Sequence, residues 1–165
     1  MLASHQILAQ MPEAFALDLV QYLHEKEKPL YKAAVAALAQ KRKLRAVFIE
    51  RKPRTEQHRW VREQLSHPSN DSLAAQTLQI WLVSAHKGLL CEFLDGLSIV
   101  HDENGTVEEL PSAPEKERLA GVIDLLLGKH PATLVAVYLH AFQSISEAGW
   151  NSLEEILATD PRLKL

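Results

Sequence analysis

Apolar residues along most of this chain recur every three to four positions, the spacing of one buried helical stripe, and prolines repeatedly stand where such stripes begin. Pro12 precedes Phe15, Leu19, Val20 and Leu23, and Pro29 precedes Tyr31, Ala34, Val35 and Leu38. Proline suits a first helical turn because its missing N–H has no partner there anyway. These two stripes are expected to form a helical hairpin, as is the later pair joined by the short connection at residues 128–131. The same grammar returns later, with Leu119, Val122, Ile123, Leu126 and Leu127 followed, after Pro131, by Leu134, Tyr138, Phe142 and Ile145.

Polar residues predict further helix starts. Ser112-Ala-Pro-Glu115 and Ser152-Leu-Glu-Glu155 read as capping boxes, in which a hydroxyl accepts from an orphan amide while the glutamate reaches back. Thr55 is placed to cap a helix carrying Trp60, Val61 and Leu65, and Asn70, Asp71 or Ser72 a longer one through Leu78, Trp81 and Leu82. That longer helix is apolar nearly all round and is expected to be central. Leu89, Leu90, Phe93, Leu94 and Leu97 predict another after His86-Lys87-Gly88.

The pattern therefore predicts an all-α fold, a bundle of about six to eight helices in antiparallel hairpins forming a single domain over residues 1–165. Pro12 to Pro29 and Pro114 to Pro131 are both 17 residues apart, which raises an internal repeat as an alternative to an unrepeated bundle. One short β-hairpin or loop is expected at residues 99–107, where Asn104-Gly105 suits a type I′ turn. Arg45 to Glu50 fits either a helix extension or a strand-like link.

Composition narrows the class. Apolar residues make up 47% and charged residues 24%, which excludes a disordered or fibrous chain. Cys91 is the only cysteine, so no internal disulfide forms, and a reducing compartment is expected. The N-terminus lacks a basic stretch followed by an apolar run, so a cytoplasmic location is expected. The weakly charged stretches 72–85 and 131–146 fall short of the roughly 20 apolar residues a bilayer requires, so no membrane partner is expected.

Little in the sequence points to catalysis. It contains no P-loop, dinucleotide glycine fingerprint, nucleophile elbow or His-Glu-x-x-His helix, and no cofactor or metal is implied. His101-Asp102-Glu103 gathers three metal-ligand types, but Asn104-Gly105 beside them makes a polar turn the better reading. Cys91 lies among leucines and reads as a small buried hydrophobe. His140 reads as a core histidine satisfied by a hydrogen bond, and Trp60, Trp81 and Trp150 as fillers of the core or of hairpin junctions. An enzyme or ligand pocket between hairpins, with His86 or His140 as base, stands as the third functional alternative.

The least ordinary feature is charge. The formal net charge is −3, yet residues 41–62 hold nine basic and two acidic side chains, a local +7 against −10 elsewhere. Lys41, Arg42, Lys43, Arg45, Arg51, Lys52, Arg54, Arg59 and Arg62, with His58 beside the last arginines, are the candidate binding residues. Lys41, Arg42, Lys43 and Arg45 also fall near a helix end, where cations complement the helix dipole. The leading expectation is a non-enzymatic interaction or scaffolding module that docks an acidic protein partner on this segment. Nucleic-acid binding by the same surface is the alternative, and pairing with acidic residues of the same chain is the structural one. A homodimer through an apolar strip left over from helix packing is also compatible with the pattern.

Overall fold

The computed structural model describes residues 1–165, all helix and connection without a strand. Its α-helices are α1 (Ser4–Gln10), α2 (Glu13–Lys26), α3 (Lys28–Arg42), α4 (Ala46–Glu50), α5 (Arg54–Leu65), α6 (Asp71–Ala85), α7 (Lys87–Gly96), α8 (Lys116–Lys129), α9 (Ala132–Ile145) and α10 (Asn151–Thr159). Short 3₁₀ turns occur at Pro68–Asn70 and Pro161–Leu163. Eight of the helices have nine residues or more, and the short α1 and α4 bring the number to ten. No helix is long and apolar enough to cross a membrane.

The chain divides into two compact units, one of residues 3–81 and the other of residues 1–2 with 82–165. In the first, α5 is the central helix, packed by α1, α2 and α3, while α2 also packs on α3 and α4 on α3. This is unexpected from composition, since α5 reads Arg-Thr-Glu-Gln-His-Arg-Trp-Val-Arg-Glu-Gln-Leu. It buries Val61 and Leu65 together with Gln57, His58 and Gln64. Buried amides must be hydrogen-bonded to be tolerated, and Gln57 is: its Nε2 donates to Glu50 O and Lys52 O, and its Oε1 accepts from Tyr31 Oη. Around α5 lie the fully sheltered Ile7, Leu8, Leu19, Val20, Leu23, Ala34 and Ile49. In α6 the buried residues Ala74, Thr77, Leu78, Trp81 and Leu82 form one stripe rather than the all-round core expected.

In the second unit α9 is central, packed by α8, α10 and the terminal 3₁₀ turn, with α7 against α8. Its run from Leu134 to Leu139 is wholly buried. Phe93, Tyr138, Phe142 and Trp150 form an aromatic cluster, Phe93 meeting Tyr138 and Phe142 edge-on at 5.3 Å. The Trp150 indole donates to Pro111 O at 3.2 Å.

Proline sets several helix starts: Pro12, Pro53 and Pro131 are the N-cap residues of α2, α5 and α9. Three expected caps are not caps. α5 begins directly after Pro53, so Thr55 is already inside it. α8 begins after Glu115, because a residue preceding proline is pushed away from helical backbone and Ala113 precedes Pro114. Ser152 lies inside α10, where its hydroxyl donates to Pro114 O. The two 17-residue proline intervals also start at different helix positions, Pro12 at an N-cap and Pro114 one residue before one. Near residue 104 there is a loop: Asp102 Oδ1 accepts from the amides of Asn104 and Thr106 at 2.8 Å, so a side chain takes the donors a strand ladder would use. Gly105 has φ 78°, but Asn104 does not have the positive φ of a type I′ turn.

Candidate docking surface

The charge asymmetry follows the two units. Residues 3–81 hold 12 basic and 8 acidic side chains, and the remainder 6 and 13. Within the first unit the basic segment runs off the end of α3, around a tight corner and across α4 into α5.

The corner is a helix-terminating motif. Lys43 adopts φ 53° and ψ 41°, its amide donates to Gln40 O, and the Leu44 amide donates back to Ala39 O at 2.9 Å. Arg45 is then the N-cap of α4 and Arg51 its C-cap. Of the apolar run in α4 only Ile49 is buried, whereas Phe48 is 51% exposed, Val47 41%, and Leu44 just before the helix 45%. Lys41 to Arg45 and Glu50 to Thr55 are all exposed.

The ten sequence-selected residues separate into groups. Arg59 pairs with Glu13 at 3.1 Å, and Lys52 and Arg42 lie 3.8 Å from Glu56 and Glu63. Arg42 also lies over the Trp60 ring at 3.9 Å, with Lys52 at 5.4 Å, so this tryptophan is a half-exposed platform under two cations rather than a core filler. Arg62 donates to Ala9 O and Met11 O, the free carbonyls at the end of α1, and so acts as a brace. Arg54 donates to His24 Nε2. Lys41, Lys43, Arg45 and Arg51 form no ion pair, and these four flank and interrupt the exposed apolar trio along the chain.

His58 does not share the exposed arginine face. It is only 6% exposed, turned inward because position 58 falls on the same stripe of α5 as Val61 and Leu65. Its ring lies 5.8 Å from His24 and 5.7 Å from Tyr31, and its Nε2 is sheltered without a hydrogen bond. Burial, then the neighbouring His24 and Arg54, push the His58 imidazole below its ordinary pKa. Burial and then Arg54 do the same to His24. In both, the neutral ring is favoured more than in a free imidazole, and both border a groove of about 490 Å³ that Leu17, Asp18 and Arg54 also line.

The second unit holds the other residues considered for chemistry. His140 donates from Nε2 to Leu163 O at 3.2 Å, and burial lowers its pKa despite that bond. It borders a cavity of about 140 Å³ with Leu2, Gln143, Leu157, Met1 and Glu154, the N-terminal ammonium of Met1 pairing with the Glu154 carboxylate at 2.7 Å. His86 precedes α7, its pKa lowered by burial and then by His130. Cys91 is half-buried, with Sγ 3.9 Å from Glu103 O. His101 pairs with Asp95 at 2.8 Å, and no group of three or more ligand-type side chains is arranged to hold a metal ion.

Sequence reasoning selected the cations but missed the apolar trio, because Val47, Phe48 and Ile49 look alike in the sequence and only the fold decides which is covered. It also missed α1, although Ile7, Leu8 and Met11 stand at helical spacing. Comparison with protein-family models, with curated proteins and with solved structures finds no match to this chain.

Proposed function

We infer that this protein is a non-enzymatic docking module that binds an acidic protein partner through the surface formed by the end of α3 and by α4. The observation that carries this reading is the set Lys41, Lys43, Arg45 and Arg51, four exposed cations without ion pairs within eleven residues. Arg42, Lys52 and Arg59 on the same stretch have a carboxylate within 4 Å, whereas these four leave their charge open to a partner. Unpaired cations crowded around a corner raise the local potential and steer an acidic surface into place.

Nucleic acid fits this surface less well. Four cations neutralise about four phosphates, which supports only weak, salt-sensitive binding. The nearby tryptophan is occupied by Arg42 and Lys52 rather than open for base stacking.

The test is a salt titration of the full chain against a labelled acidic peptide and against single- and double-stranded oligonucleotides. The comparison variant carries Lys41→Glu, Lys43→Glu, Arg45→Glu and Arg51→Glu. The reading expects peptide binding that the reversal abolishes, with little binding of either oligonucleotide. Unchanged peptide binding by the variant, or preferential binding of an oligonucleotide, would overturn it. Arg54, Arg59 and Arg62 are left intact because their side chains hold His24, Glu13 and the end of α1.

A further inference from the structure

Leu44, Val47 and Phe48 form an exposed apolar group on an otherwise charged corner of the fold. A large exposed apolar side chain is unremarkable singly. Three within five residues, one before a helix of a turn and a half and two upon it, concentrate exposed apolar surface on one short stretch. The unpaired cations are interleaved with it along the chain: Lys41 and Lys43 before it, Arg45 between Leu44 and Val47, and Arg51 after it. An apolar centre with a charged rim is the anatomy of a protein recognition patch, in which the centre supplies affinity and the rim supplies orientation and speed of encounter.

We propose that Leu44, Val47 and Phe48 are the anchor of the docking surface, and that its partner is a short acidic segment presenting its own apolar residues, such as an amphipathic helix with an acidic face. This rests on the docking function proposed above and specifies the partner's chemistry.

Charge decides among the occupants of such a patch. A second copy of this chain, related by a twofold axis, would set four unpaired cations against the same four, and like charges brought together at an interface oppose association. An anionic bilayer satisfies the cations, but stable interfacial binding needs an amphipathic helix with a broad apolar face, and α4 has five residues. A single nucleic-acid strand needs flat stacking platforms, and two of the three apolar side chains are aliphatic. An acidic amphipathic segment meets the apolar centre and the basic rim together.

The experiment uses two short acidic peptides of equal charge, one with leucine and phenylalanine along one helical face and one with serine in their place. Both are titrated against the full chain, against Phe48→Ser and Val47→Ser variants, and against the four-cation reversal. The proposal expects the apolar-faced peptide to bind at least roughly tenfold more tightly than its serine counterpart, and Phe48→Ser to remove most of that difference. Equal binding of the two peptides, or no effect of Phe48→Ser and Val47→Ser, overturns the anchor while leaving an acidic partner in place. Insensitivity to charge reversal overturns the docking function itself. Sedimentation of the chain with phosphatidylcholine–phosphatidylserine vesicles, or concentration-dependent self-association lost in Phe48→Ser, would assign the patch to a bilayer or to a second copy and overturn the proposal. Circular dichroism and urea unfolding of each variant check that it is folded before its binding is compared.

Discussion

Tyr31 Oη donates to Gln57 Oε1 at 3.3 Å, and through that amide α3 and α5 hold the end of α4. Gln57 Nε2 donates to Glu50 O at 2.9 Å and to Lys52 O at 2.7 Å, so a single buried side chain fixes the corner that displays Phe48. Gln57→Leu keeps the volume but leaves the Tyr31 hydroxyl and two backbone carbonyls without this partner. The expected loss of stability is on the order of 1–3 kcal/mol, the cost of leaving a buried polar group unsatisfied. Urea unfolding measures it, and the apolar-faced peptide should bind Gln57→Leu more weakly although no residue of the patch has changed.

The histidine cluster predicts how the first unit responds to acid. His24 and His58 both have pKa values below the ordinary 6.5, with burial as the leading cause and Arg54 adding to it. Arg54 donates to His24 Nε2, which requires that nitrogen to be unprotonated. Tyr31 stands against both rings, and burial raises its own pKa, so it stays neutral. Glu25 opposes the shift of both histidines, and Lys28 adds to that of His24. Well above about pH 6.5 both the folded and the unfolded chain hold these imidazoles unprotonated, and stability does not change with pH through them. As pH falls through about 6.5 the unfolded chain takes up protons that the folded chain refuses, so stability falls until the depressed folded pKa values are passed. The unfolding midpoint in urea should therefore be lower near pH 5.5 than near pH 7.5. His58→Phe, which keeps a ring against Tyr31 and cannot titrate, should reduce that difference. His86 and His140 have lowered pKa values in the other unit and leave a residual slope, while the exposed His101, raised by Asp95, works in the opposite sense.

These residues also show what a sequence can carry. Prolines at helix starts were legible because proline's fixed φ and missing N–H act locally, whatever the surrounding fold. The stripes of α2, α3, α8 and α9 were legible because four or five apolar residues at one spacing leave a helix one way to bury them. The central place of α5 was not, because its buried polar residues depend on partners 26 and 7 positions away in the case of Gln57. Nothing in the even periodicity of α6 marks the boundary between the two units, which falls between Trp81 and Leu82 inside it. The basic segment was visible as composition, but which of its cations are braces and which are unpaired is a matter of distance alone: Arg62 and Arg45 are the same residue type with different neighbours.

Lys43 joins stability to the proposed function at one residue. Its φ of 53° lies in the left-handed region, which costs a residue with a Cβ roughly 1–2 kcal/mol and glycine almost nothing. Glycine is the common residue at this position of a helix-terminating corner, and a lysine there is retained at the expense of stability. Lys43→Gly relieves the strain but enlarges the conformational freedom of the unfolded chain, which returns about 0.4–1 kcal/mol. The net expectation is a gain of roughly 0.5–1 kcal/mol, read as a higher urea midpoint. The same substitution removes one of the four unpaired cations, so affinity for the acidic peptide should fall several-fold and the salt dependence of binding should become shallower. Lys43→Ala separates the two effects, since alanine removes the charge and keeps the strained Cβ. It should lose the same affinity and gain no stability. If both variants bind as the parent does, Lys43 is only a strained helix terminus, and the docking surface begins at Arg45.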